Sequence, residues 1–73
     1  MSEHKLTGTK RSNVEIGDLV EVVKKQHQRS GELTEGLVTR LLTSSSSHPH
    51  GIKVMLDSGE VGRVQWVLKE DVD

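Results

Sequence analysis

Cysteine, tyrosine and phenylalanine are absent from this chain, and tryptophan and proline occur once each. Without cysteine there are no disulfides and no thiolate metal ligands, and a reducing compartment is the natural home. A cytoplasmic location is therefore expected. With Trp66 as the sole aromatic residue, the core has to be built from Val, Leu and Ile around that one indole. The same scarcity counts against an aromatic cage for methylated lysine, a groove for proline-rich peptides and an extended base-stacking platform. Long apolar runs are missing as well: the roughly 18 consecutive apolar residues that a membrane span needs occur nowhere. The opening Met1-Ser2-Glu3-His4-Lys5 has no apolar stretch behind it, so no signal peptide is expected.

What is present fits one small domain. Seventy-three residues, 32% of them hydrophobic, lie near the lower limit for a chain that folds without staples. Modest stability follows, on the order of a few kcal/mol. The net charge of −1 predicts no polyanionic partner by itself. Its distribution is uneven. Between Val22 and Leu56 the bases Lys24, Lys25, Arg29, Arg40 and Lys53 face only Glu32 and Glu35, a net +3. From Asp57 onward, Asp57, Glu60, Glu70, Asp71 and Asp73 outweigh Arg63 and Lys69, a net −3. A basic face on a near-neutral protein is one reading of that asymmetry, and ordinary solvated strands and loops are the other.

Residues 1–13 are polar and offer almost nothing to bury, which reads as a flexible N-terminal arm. Residues 69–73 read as an acidic frayed tail. Between them, 14–68 carry strand signals. After the turn Ile16-Gly17-Asp18, the run Leu19-Val20-Glu21-Val22-Val23 alternates with a period of two. The polar loop Gln26-His27-Gln28-Arg29-Ser30-Gly31 closes on a glycine. A second strand is expected at Leu37–Leu42, introduced by Gly36. The run Ser44–Ser47 and His48-Pro49-His50-Gly51 then make a loop, and Ile52, Val54 and Leu56 share one face of a third strand. Asp57-Ser58-Gly59 is a hairpin turn into a fourth strand, Glu60–Val67, where Gly62 suggests a bulge or bend. Trp66 either plugs the barrel end or is free to stack on a base. No helical stripe of useful length occurs. The expected fold is all-β: a small SH3-like or KOW-like barrel of four to five antiparallel strands with disordered termini.

The chemistry-bearing residues are few. His48 and His50 flank Pro49 and invite a metal reading, but zinc needs three or four ligands. The residues available to complete a site, His27, His4, Asp57 and Glu60, stand at no familiar spacing. Ser47 beside His48 is adjacency in sequence, not a nucleophile with an oriented base. A barrel this small fills its interior with side chains, leaving no room for paired carboxylates in a pocket. No enzyme activity, cofactor or metal is expected.

Three stretches together carry a resemblance. They are Gln28-Arg29-Ser30-Gly31, Leu42-Thr43, and the block His48-Pro49-His50-Gly51-Ile52-Lys53-Val54 continued by Val61-Gly62-Arg63-Val64. Over about Arg11 to Val67 the chain resembles the YwbE-like family of small uncharacterised proteins. The resemblance implies an SH3-like or KOW-like barrel and brings no activity, cofactor or partner with it. It also implies a shared surface at the two loops, Gln28–Gly31 and His48–Gly51, with Lys53 and Arg63. The chain departs from the family pattern at His27, Ser46 and Met55, where Asp, Pro and Arg are usual. The missing base at 55 weakens a basic surface in this member.

The reading that results is a monomeric, non-enzymatic binding module with no membrane partner. Nucleic acid, RNA above all, is the expected ligand, held through Lys24, Lys25, Arg29, Lys53, Arg63, His48 and His50. The alternative is a protein-interaction module acting through loops or an edge strand.

Overall fold

The computed structural model describes residues 3–70, and the side chains of 5–69. Five strands make one antiparallel sheet: β1 (Glu3–Thr7), β2 (Leu19–Lys24), β3 (Thr34–Leu41), β4 (Lys53–Leu56) and β5 (Val61–Glu70). Their order is β1-β5-β2-β3-β4, and β4 also pairs with β5, so β2 to β5 close into a four-stranded barrel with β1 added outside the ring. Two single 3-10 turns, Arg11–Asn13 and Lys25–His27, are the only helical segments among the described residues. Among the described residues no helix is long and apolar enough to cross a membrane.

The alternation seen in the sequence sets the core. Val20 and Val22 of β2, Val38 of β3, Val54 and Leu56 of β4, and Val64 and Val67 of β5 are buried together with Val14 and Ile52. At about 25 cal/mol per Å² of apolar surface, burial of such side chains is the main stabilising term. Gly36 lies inside β3 and not at its start, opposite Val20. A Cβ there would come within 2.9 Å of Leu56 Cδ1, so the absent side chain makes room for a core leucine.

Part of the stretch expected as an arm at residues 1–13 is paired in the sheet. Residues 3–7 are β1, in register with β5 from Glu3 opposite Glu70 to Thr7 opposite Trp66. Leu6 is the one apolar residue of Glu3–Thr7 and no alternation surrounds it, so the strand is set by backbone pairing with its partner and not by an apolar pattern. Arg11 then ties the following turn down, donating its backbone N–H to Ser46 O (2.8 Å) and its Nε–H to Thr43 O (3.0 Å). The expected tail is likewise shortened. Lys69 and Glu70 extend β5, and the Lys69 ammonium donates to both carboxylate oxygens of Asp18 at 2.9 Å. Residues 71–73 of that tail and residues 1–2 of the arm lie outside the described residues.

β5 bends at a different place from the one its glycine suggests. Glu21 pairs with Trp66 but Val22 pairs with Val64, so Gln65 is the extra residue of a β-bulge. The bulge lets Val64 and Val67 both face inward and turns Trp66 out, where it is 42% exposed. The core is therefore aliphatic throughout, and the indole neither plugs nor fills it. Gly62 answers a packing need: a Cβ on it would meet Val22 Cγ2 at 2.7 Å.

The tightest contact lies at Val64. Gly8 and Gly51 both press their backbones onto it, and a Cβ on either would fall 2.1 or 2.2 Å from Val64 O. The hydrogen bonds Gly8 N–H to Gln65 O, Ile52 N–H to Gly8 O and Val64 N–H to Ile52 O (2.8–3.1 Å) lace the three segments together. Replacing Gly8 or Gly51 by Ala should cost on the order of 3 kcal/mol in urea unfolding, by forcing backbone apart in the core. Gly59→Ala, where φ is +89° but the space is open, should cost only about 1 kcal/mol.

Candidate nucleic-acid interface

The outer surface of β5 and the two loops beside it form a groove of about 440 Å³. Val23, Arg63 and Gln65 make its floor, Gln28 and Gly31 one wall, and Pro49 and His50 the other. The first wall is the loop after β2. It is turned by the 3-10 segment Lys25–His27 and closed where Gly31, at φ +73°, donates its N–H to His27 O (2.8 Å). The second wall is held by His48 N–H to Thr9 O (2.9 Å) and by Gly51 N–H to His48 O (3.0 Å). The two loops where the family resemblance implies a shared surface thus face each other across one depression.

Arg63 is the cation of this groove. Its Nη1 donates to Gly51 O at 3.1 Å, leaving the other guanidinium donors unused by any bond among the described residues. Lys53 stands directly opposite it across the β4–β5 ladder and is exposed. Like charges in register repel, and among the described residues no carboxylate pairs with either. No acidic side chain lines the groove. Arg63 is thus the one Lys or Arg side chain that lines the groove, with Lys53 next to it on the ladder and no carboxylate bonded to either among the described residues.

The remaining residues expected at the site divide. His50 lines the groove, and the half-buried His48 stands beside it with ring centroids 5.9 Å apart. Arg29 is exposed between Gln28 and Gly31, at the rim, and Lys25 is exposed at the start of the same loop. Lys24 is different. Its side chain is only 15% exposed and its ammonium donates to Glu60, which also accepts from Ser58 Oγ. These contacts hold the Glu60 carboxyl below its ordinary range, with the Lys24 hydrogen bond the main cause. Lys24 is thereby a strut between β2 and the β4–β5 turn, not a free contact.

Sequence reasoning missed Gln65 and Val23. Gln65 enters the groove only because the bulge displaces it, and its amide donates to His50 O (3.1 Å) and Arg63 O (3.4 Å). The spacing of three between Val64 and Val67 is the one trace of that bulge in the sequence. Among the described residues no three His, Asp or Glu side chains gather in one place.

A closed four-stranded antiparallel barrel with one added strand and a basic two-loop groove is the class that fold and site define. A family profile described as "Uncharacterized conserved protein (DUF2196)" matches residues 7–67. The chain is also 43% identical over 63 residues to the "Uncharacterized protein YwbE" of Bacillus subtilis (strain 168), covering 86% of this chain and 97% of that protein. The chain belongs to the DUF2196 family. No solved structure matches it.

His48 reports on the site. Its Nδ1 accepts the backbone N–H of His50 (3.1 Å), which requires an unprotonated Nδ1. Desolvation, then Arg63 and His50, lower its pKa below the usual 6.5. The neutral ring is favoured in the folded chain, so its contribution is present above pH 6.5 and is lost as pH falls through the lowered value. In an NMR titration His48 should titrate below 6.5, and Arg63→Gln should move it upward.

Proposed function

We propose that this chain is a small non-enzymatic binding module of the cytoplasm, acting as a monomer, that grips RNA or another nucleic acid by its phosphates. The contact surface is the groove between the Gln28–Gly31 and His48–Gly51 loops, with Arg63 and Lys53 as the principal cations and Arg29, Lys25 and the two histidines at its edges. The barrel is read as SH3-like, of the KOW-like kind. The observation that carries this reading is the pair Lys53 and Arg63, in register and without a carboxylate among the described residues. A phosphate placed between them relieves their repulsion and completes the guanidinium's hydrogen bonds. Lys24, whose charge is already met by Glu60, has no such need.

A second reading, a protein-interaction module, is favoured by a different surface. β1 pairs only with β5 among the described residues, leaving its outer edge open to an added strand. Leu37, Leu19 and Leu68 lie in cross-strand register on the outer sheet face beside that edge. Pull-down before and after nuclease treatment separates the two: partners that vanish favour nucleic acid, and partners that persist favour protein.

Anisotropy titration with a short labelled RNA at stepped salt tests the first reading. Affinity should fall steeply with salt, and Arg63→Gln or Lys53→Gln should each flatten the slope by about 0.7, the share of one single-strand phosphate. Lys24→Gln should lower the melting temperature and leave the slope unchanged. Absence of binding at low salt contradicts the proposal, and so does a slope indifferent to Arg63.

A further inference from the structure

The shape of the groove narrows the class of ligand beyond a phosphate chain. A half-open groove of about 440 Å³ has room for one nucleotide-sized group, whereas tracking a duplex backbone needs a broad row of cations. Only Lys53 and Arg63 form such a row here, because Lys24 is bound to Glu60. The lining is chemically mixed. Beside the guanidinium stand two carboxamides, an imidazole and the apolar surfaces of Val23 and Pro49.

The carboxamides are the informative part. Gln65 Nε2 points at two backbone carbonyls, His50 O and Arg63 O, which fixes the amide orientation and leaves Oε1 as an acceptor without a partner among the described residues. The Gln28 side chain makes no hydrogen bond among the described residues and offers both donor and acceptor. An inorganic anion has use for the guanidinium alone. A nucleotide has use for all of it: phosphate for Arg63, sugar hydroxyl or base edge for the carboxamides, and a base face for Pro49, Val23 and the His50 ring.

We propose that the groove receives one unpaired nucleotide, its phosphate on Arg63 and its sugar or base edge on Gln65 and Gln28, so that the protein selects single-stranded over duplex nucleic acid. This rests on the nucleic-acid reading above and deepens it. In a duplex the base edges are paired and stacked, so a pocket for one base is filled only at the cost of unstacking. Selection against duplex follows from that cost.

Amide chemical-shift titration of the full-length chain tests it with four probes: nucleoside 5′-monophosphates, inorganic phosphate, a short single-stranded RNA and an RNA duplex of equal length. The monophosphates and the single strand should shift the same amides, around Gln28, Gly31, His50 and Gln65. The single strand should bind about tenfold more tightly than the duplex, the equivalent of one base contact. Gln65→Ala should weaken the monophosphates several-fold and leave inorganic phosphate unchanged. Gln28→Ala, which removes no hydrogen bond within the described residues, should do the same and covers the case in which Gln65→Ala unfolds. Equal affinity for duplex and single strand overturns the inference while the nucleic-acid reading stands. So does inorganic phosphate matching the monophosphates. If none of the four probes shifts any amide at low salt, both fall.

Discussion

Everything in this small fold depends on β5 having both of its edges occupied. One edge runs the length of β2, while the other serves β4 near its start and β1 near its end. The hand-over between β4 and β1 falls at Val64, where Gly8 and Gly51 lie against its carbonyl too closely to allow any side chain. A chain with so little apolar content cannot stabilise an open sheet by burial alone. Closure around β5 removes the edges of four strands at once and lets valines meet from all sides. A modest set of aliphatic side chains then suffices for a core.

The same strand builds the candidate site. Because β5 carries the bulge at Gln65, its outer surface presents Arg63 and then Gln65 toward the loops, with Trp66 directed elsewhere. The loops are positioned by what the closure requires. Gly51, the residue pressed onto Val64, is also the residue whose carbonyl holds Arg63. Fold and site are therefore coupled through one short segment, His48–Gly51: its backbone seals the barrel and its side chains border the groove. The distribution of charge follows a comparable logic. Lys24 and Lys69 are spent on Glu60 and Asp18 to pin strands and turns, while Lys53 and Arg63 are left facing each other.

Much of this was legible in the sequence, for identifiable reasons. Val20 and Val22, then Val54 and Leu56, declare inward faces by plain alternation, and four strands follow from them. Asp57-Ser58-Gly59 announces its hairpin. The His48–Gly51 and Gln28–Gly31 segments read as loops from their glycine, proline and polar residues, the family resemblance implied a shared surface there, and both border one groove. What stayed hidden has a common cause. β1 is held by backbone pairing with β5, and Glu3–Thr7 carries no pattern that reveals a partner more than fifty residues away. The bulge at Gln65 shifts the register by one, which plain alternation does not announce, and it decides the open question of Trp66 by turning the indole outward. Lys24 looked like its neighbour Lys25, and only the proximity of Glu60 shows that one is a strut and the other free.

The central claim is that the Arg63 guanidinium, which no carboxylate pairs among the described residues, meets the ligand. The most direct measurement follows the Arg63 Nε–H resonance, assigned by its loss in Arg63→Gln, while a short RNA is added at low salt. The account predicts that this signal shifts together with the amides of the two loops, while those of Leu19, Leu37 and Leu68 stay in place. A silent Arg63 with perturbations confined to β1 and the Leu19–Leu37–Leu68 face would contradict it.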